Sequence, residues 1–123
     1  MRIETGVDAV EIGRVQGSIQ RPGFLERYFS EEERAYFQSR KNAPQTVAGH
    51  FAAKEAFSKA MGTGLSGFAL REVSIRHDER GKPSFALTGG AERLAAGWRL
   101  SLSIPHTGDT ATAFVVAWRE ETT

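Results

Sequence analysis

The sequence predicts an α+β fold, helices in its first half and an antiparallel sheet in its second, on three observations. An alternating run opens the chain at residues 2–10, and a run of good helix formers spans roughly Gln45 to Met61. After Gly62-Thr63-Gly64 the pattern changes to short alternating runs divided by turn residues.

Each element has a local reason. In residues 2–10, Ile3, Val7 and Ala9 alternate with Asp8 and Val10, which puts Asp8 on the strand face opposite Val7. Residues 11–20 read as a helix with Ile12, Val15 and Ile19 as its apolar stripe, broken by Pro22-Gly23. Phe24 to Phe29 reads as a short helix. Ser30 with Glu33 makes a capping box that opens another, through about Gln38. Polar residues from Lys41 to Pro44 lead into the central helix. Beyond the glycines, Glu72 to His77 and Pro83 to Leu87 flank the turn Asp78-Glu79-Arg80-Gly81 as a hairpin. Gly89-Gly90 precedes a short helix near Ala91–Ala96. Arg99 to Ile104 alternates leucine with serine, and Ala111 to Trp118 is apolar enough for a buried strand.

At 123 residues the chain is expected to form one domain, residues 1–123, small enough that oligomerisation would usefully bury more surface. A net charge of +1 offers no global field for nucleic acid or a membrane surface, so any charged partner must meet a local patch. The absence of cysteine excludes disulfides and thiolate metal sites and fits a cytoplasmic setting. The N-terminal segment has no long apolar run, so neither a signal peptide nor a membrane span is expected.

The chemistry concentrates in residues 51–64. At about 100° per residue, Ala53, Ala56, Phe57 and Ala60 share the core side of the helix while Glu55 and Lys59 lie opposite. Such a Glu–Lys pair at i,i+4 ordinarily stabilises a solvated face by a few tenths of a kcal/mol, roughly. Two features point further. A core stripe made mostly of alanine requires another backbone to approach closely. Gly62-Thr63-Gly64 can expose backbone N–H groups to an anion as well as end the helix. With Asp8, these residues suit a magnesium–diphosphate substrate.

Asp8, the KEAFSK run, Gly62-Thr63-Gly64, the Gly81-Lys82-Pro83 turn and Ser103-Ile104-Pro105-His106-Thr107 occur in that order. Together they resemble the holo-acyl-carrier-protein synthases, the short trimeric branch of the 4'-phosphopantetheinyl transferases, from Gly6 to Val116. The resemblance implies a small α+β fold in which an antiparallel sheet wraps a long central helix, with active sites at the interfaces of a homotrimer. It implies transfer of the phosphopantetheine arm of coenzyme A to a serine of an apo-acyl carrier protein, releasing adenosine 3',5'-bisphosphate, in fatty acid biosynthesis.

Residue by residue, the resemblance makes Asp8 and Glu55 the ligands of Mg2+ and Lys59 the contact to the transferred phosphate. Glu55 is also a candidate base for the serine hydroxyl, directly or through a metal-bound water, and sequence does not separate these roles. Lys54 projects about 100° from Glu55, open to a second coenzyme A phosphate or to a structural ion pair. Gly62, Thr63, Gly64, Pro83, Ser103, His106 and Thr107 complete the expected coenzyme A contacts, with the Ser103–Thr107 segment supplied by a neighbouring subunit. His50 stands where relatives often carry arginine, and a mostly neutral imidazole is a poorer phosphate ligand. Arg14 and Arg21, seven apart, would share one side of the first helix if it reaches Arg21. With Arg27 just beyond, they form the expected patch for an acidic acyl carrier protein.

Two other readings compete. A non-enzymatic trimeric binding module would not need Asp8, Glu55 and Lys59 together. A different magnesium–nucleotide enzyme would be expected to carry a Walker loop, a Rossmann glycine motif or a kinase signature, and the sequence has none.

Overall fold

The alanine stripe of the central helix decides the architecture. In the computed structural model, which describes residues 1–121, the elements in chain order are β1 (Arg2–Glu11), α1 (Ile12–Ile19), α2 (Phe24–Tyr28), α3 (Glu31–Ser39), α4 (Pro44–Met61), β2 (Val73–His77), β3 (Pro83–Leu87), α5 (Gly89–Leu94), β4 (Arg99–Ser103), β5 (His106–Thr107) and β6 (Thr110–Arg119). Proline opens α4 where its missing N–H costs nothing, and Gly62 closes it in the left-handed conformation, φ 74°. Ala52, Ala53, Ala56 and Ala60 are buried along it. Their small side chains let β1 lie directly on the helix at Gly6. A Cβ there would stand 1.9 Å from the Ala56 carbonyl oxygen and 2.7 Å from the Ala60 nitrogen, so only glycine fits.

β1 pairs antiparallel with β6 over its whole length, from Arg2↔Arg119 to Glu11↔Thr110. The other edge of β6 carries β4 and the two-residue β5. Ala111, Ala113, Val115 and Ala117 turn inward from β6 and are buried with Leu102 of β4. β2 and β3 form a separate antiparallel hairpin whose Val73 and Phe85 join Phe57 in a second cluster. α1, α2 and α3 close the remaining side around Phe29 and Phe37, whose rings meet edge-on at 5.0 Å. The predicted capping box opens α3: Ser30 Oγ accepts from Glu33 N, and the Ser30 N–H donates to Glu33 Oε1.

The condition attached to Arg21 is not met. α1 ends at Ile19, with Gln20 capping it, so Arg21 is not on the first helix and does not share a helical face with Arg14. The larger sheet also presents an apolar face away from α4. Ile3, Val7, Phe114 and Val116 stand on it, 39–58% exposed. Strand alternation separates two faces but does not say which one the chain itself covers.

Candidate active site

Register and helical period bring three predicted residues together. Asp8 is on the same face of β1 as Gly6, the face turned to α4. Glu55 and Lys59 are one turn apart on the solvent-facing flank of that helix. Lys59 Nζ donates to Asp8 Oδ1 at 2.9 Å and to the Val7 carbonyl oxygen at 3.1 Å. Burial, with the Asp8 carboxylate nearby, pushes the Glu55 carboxyl above its ordinary value, against the opposing pull of Lys59. Two neighbouring carboxylates, both reachable from solvent, form a donor set for a hard divalent cation. Among the described residues no group of three or more such ligands occurs. A cation here would complete its shell with water and substrate oxygens, the usual habit of magnesium.

Lys54 does something else, and its assignment as a coenzyme A contact is corrected. Its side chain is fully buried, and its ammonium donates to Glu33 Oε1 at 2.6 Å and to the carbonyls of Val73 at 2.6 Å and Leu70 at 3.0 Å. Three acceptors use all three N–H groups of a charged lysine, and a neutral amine has only two. Burial works against the charge and Glu33 works for it. Glu33 is the hub that sequence reasoning missed. It is fully buried, accepts from Lys54 on one oxygen and meets His50 Nδ1 at 2.8 Å on the other. Burial raises its pKa, but the His50 hydrogen bond and the Lys54 charge outweigh this and hold it below its ordinary value. A usable signal was the i,i+4 spacing of His50 and Lys54, which puts both on one side of α4. His50, buried in this network, has no free phosphate-binding edge.

The remaining predicted residues do not gather in one place. His77, His50, Tyr36, Pro83 and His106 line a cleft of about 180 Å³ beside the first half of α4, where His106 Nε2 lies 2.9 Å from Gln45 Nε2. His106 and Thr107 belong to β5 rather than to a loop, and Ser103 ends β4 on the outward sheet face opposite Phe114. Gly62 and Gly64, both at positive φ, flank Thr63 at the other end of α4. His50 and Glu55 differ by five residues, about 140° around the helix, so the histidine cleft and the Asp8–Glu55–Lys59 group face different ways within one chain. Arg14 lines a groove of about 360 Å³ between β1, α1 and α4, together with Val15, Phe24 and Phe51. Arg21 and Arg27 line a neighbouring groove around Pro22.

Residues 4–116 match the family model of the 4'-phosphopantetheinyl transferase superfamily, and the chain belongs to that superfamily, in its holo-[acyl-carrier-protein] synthase branch. It is 44% identical over 115 residues to the holo-[acyl-carrier-protein] synthase of Clostridium acetobutylicum, covering 90% of this chain and 93% of the relative. The synthase of Caldanaerobacter subterraneus subsp. tengcongensis is 41% identical over 121 residues, 95% of either chain. Among solved structures, the ACPS–CoA complex of Chronobacterium ammoniagenes superimposes with a TM-score of 0.84 at 30% identity, covering 98% of this chain and 100% of that one. The Bacillus anthracis synthase, in complex with CoA (3',5'-ADP), gives 0.82 at 33% identity over 95% and 96%. The protein is thus an enzyme, a 4'-phosphopantetheinyl transferase.

Proposed function

We propose that the protein transfers the 4'-phosphopantetheine arm of coenzyme A to a serine of an apo-acyl carrier protein, in a magnesium-dependent reaction that releases adenosine 3',5'-bisphosphate and serves fatty acid biosynthesis in the cytoplasm. The observation that carries this reading is the convergence of Asp8, Glu55 and Lys59 at the β1–α4 contact, in a chain 44% identical to a synthase of that name. The serine Oγ forms a bond to the pantetheine-side phosphorus, and the bond from that phosphorus to the oxygen of the adenosine bisphosphate breaks. Asp8 and Glu55 would hold magnesium, which when bound neutralises charge on the diphosphate. Lys59, exposed and already aimed at Asp8, can swing its ammonium to a phosphate oxygen and stabilise charge developing there. The serine proton passes to Glu55 or to a water held against it, and burial of that carboxyl favours proton acceptance.

Because the histidine cleft and the carboxylate pair face different ways, a homotrimer that joins the Glu55 flank of one subunit to the His106 strand of the next would complete the site. In that arrangement Gly62, Thr63, Gly64, Pro83, Ser103, His106 and Thr107 contact coenzyme A. Arg14, in a groove that it lines together with Phe24 and Phe51, receives the acidic carrier, aided by Arg21 and Arg27. Intact mass spectrometry tests the reaction. Apo-carrier incubated with the protein, coenzyme A and magnesium should gain one phosphopantetheine arm, and unchanged apo-carrier masses across discrete and synthase-embedded carriers would overturn the reading.

A further inference from the structure

All three histidines of the chain lie in one corner of the fold. His50 of α4 and His77 of β2 face each other through Nε2 atoms 2.8 Å apart, and His106 lines the same cleft. The hydrogen bonds around the first two count their protons. His50 Nδ1 meets Glu33 Oε2 at 2.8 Å. His77 Nδ1 meets the Gly81 carbonyl oxygen at 3.3 Å. A carboxylate with a lowered pKa and a carbonyl only accept, so both Nδ1 atoms carry hydrogen. The facing Nε2 atoms then need one proton between them. With none, two lone pairs confront each other at 2.8 Å; with two, the N–H groups collide. Three protons on two imidazoles is one more than a neutral pair holds.

That extra charge has a defined place. Burial, together with the charges of His77 and Lys54, disfavours the cation on His50 despite Glu33. The His77 ring lies parallel to Tyr36 with centroids 4.4 Å apart, a stacking that favours an imidazolium. The other charges around it cancel or add to it. Glu33 of α3 is balanced by Lys54 of α4, and Arg76 of β2 is paired with Glu32. Asp78, in the turn, accepts from the Arg80 and Lys82 backbone. Arg40 lies over the Tyr36 ring. His106 accepts from the Gln45 amide through Nε2, which puts its ring hydrogen on Nδ1.

We propose that His50 and His77 share one extra proton as an imidazolium–imidazole pair, and that this proton makes the cleft between Tyr36, Pro83 and His106 an anion subsite for the nucleotide phosphate of coenzyme A, so that binding there is coupled to proton uptake. The assignment of coenzyme A rests on the functional reading above, whereas the shared proton rests on the free protein alone. Above the midpoint of the pair, where the free protein has lost the shared proton, holding the phosphate draws one back from the buffer, and affinity falls as pH rises further.

Two measurements test it separately. In the free protein, NMR of the ring nitrogens should show His50 and His77 moving together through one midpoint, with the pair binding one proton in all. Two independent titrations would overturn the shared proton. Calorimetry of coenzyme A and of adenosine 3',5'-bisphosphate, in buffers of different ionisation enthalpy, should show net proton uptake and a loss of affinity approaching tenfold per pH unit above that midpoint. Working above about pH 7 keeps the ligand phosphate ionised. His77→Gln should abolish the uptake and flatten the pH dependence. His77→Lys should restore low-pH affinity and hold it across the range. Uptake that survives in His77→Gln but vanishes in His106→Gln would assign the proton to His106 and overturn the inference. Failure of coenzyme A to bind at any pH would overturn both the functional reading and the coupling, while the single-midpoint titration decides the shared proton regardless.

Discussion

Glu55 is placed against its own stability. Burial and the Asp8 carboxylate raise its pKa, so its charged form is disfavoured in the fold, and the folded state loses stability as pH rises from the ordinary carboxylate value through the raised one. Glu55→Gln removes that loss. Without divalent cation at neutral pH the variant should melt higher than the wild type, yet lose transfer by several kcal/mol of transition-state stabilisation, roughly 10²-fold or more. Added magnesium should raise the melting temperature of the wild type and leave Glu55→Gln and Asp8→Asn unmoved. Near-normal transfer by either variant at limiting magnesium would sink the assignment. Lys54 shows the opposite arrangement, a charge whose only partners are structural. Lys54→Met leaves Glu33 buried with one cation fewer and should cost about 3–5 kcal/mol in a denaturant melt. A loss of coenzyme A affinity at unchanged stability would restore Lys54 to the site. Helical period placed Glu55 and Lys59 correctly because it reports angle. It left Lys54 ambiguous because angle does not reveal Glu33, 21 residues earlier in the chain.

At the scale of elements, the strongly patterned segments were readable. The alanine stripe required close approach, and β1 supplies it. The capping box marked the start of α3, and Asp78 to Gly81 marked the hairpin turn. Endings were less legible. Arg21 would share a face with Arg14 only if α1 reached it, but the helix stops at Ile19, before the Pro22-Gly23 break that sequence could see, and Gln20 N and Arg21 N close its end on the carbonyls of Gly17 and Ser18. The proposed carrier face therefore consists of Arg14 on a helix, with Arg21 and Arg27 around a separate groove. Arg14→Glu should raise the Michaelis constant for the carrier, leave coenzyme A parameters unchanged, and show a penalty that shrinks with salt as the Debye length falls below about 8 Å. Steady-state kinetics with each substrate varied in turn checks this. A loss confined to coenzyme A would make Arg14 a nucleotide contact instead.

The whole molecule leaves the outer face of its larger sheet apolar, with Ile3 and Val7 beside Phe114 and Val116. Ser101 and Ser103 lie alongside on β4, and Ser103 is one of the proposed coenzyme A contacts. A face of this kind, beside half of a divided site, is what the proposed homotrimer would cover. Phe114→Glu should give monomers by light scattering and abolish transfer, with the far-ultraviolet dichroism preserved. Mixing Asp8→Asn with His106→Ala protein should restore part of the activity through hybrid interfaces, and a wild-type monomer at working concentration would refute the arrangement. Alternation in the sequence showed that β1 has two unlike faces; only the packing of Gly6 on α4 showed that Asp8 is on the inner one. That contact also bears on how sequences of this kind can drift. At Gly6 no side chain separates the strand that carries Asp8 from the helix that carries Glu55, so at that point the gap between the two elements is gauged by backbone atoms rather than by replaceable core packing. Leucines and valines elsewhere can be exchanged without altering that gauge, whereas a single methyl at position 6 would force strand and helix apart and carry the two carboxylates with them.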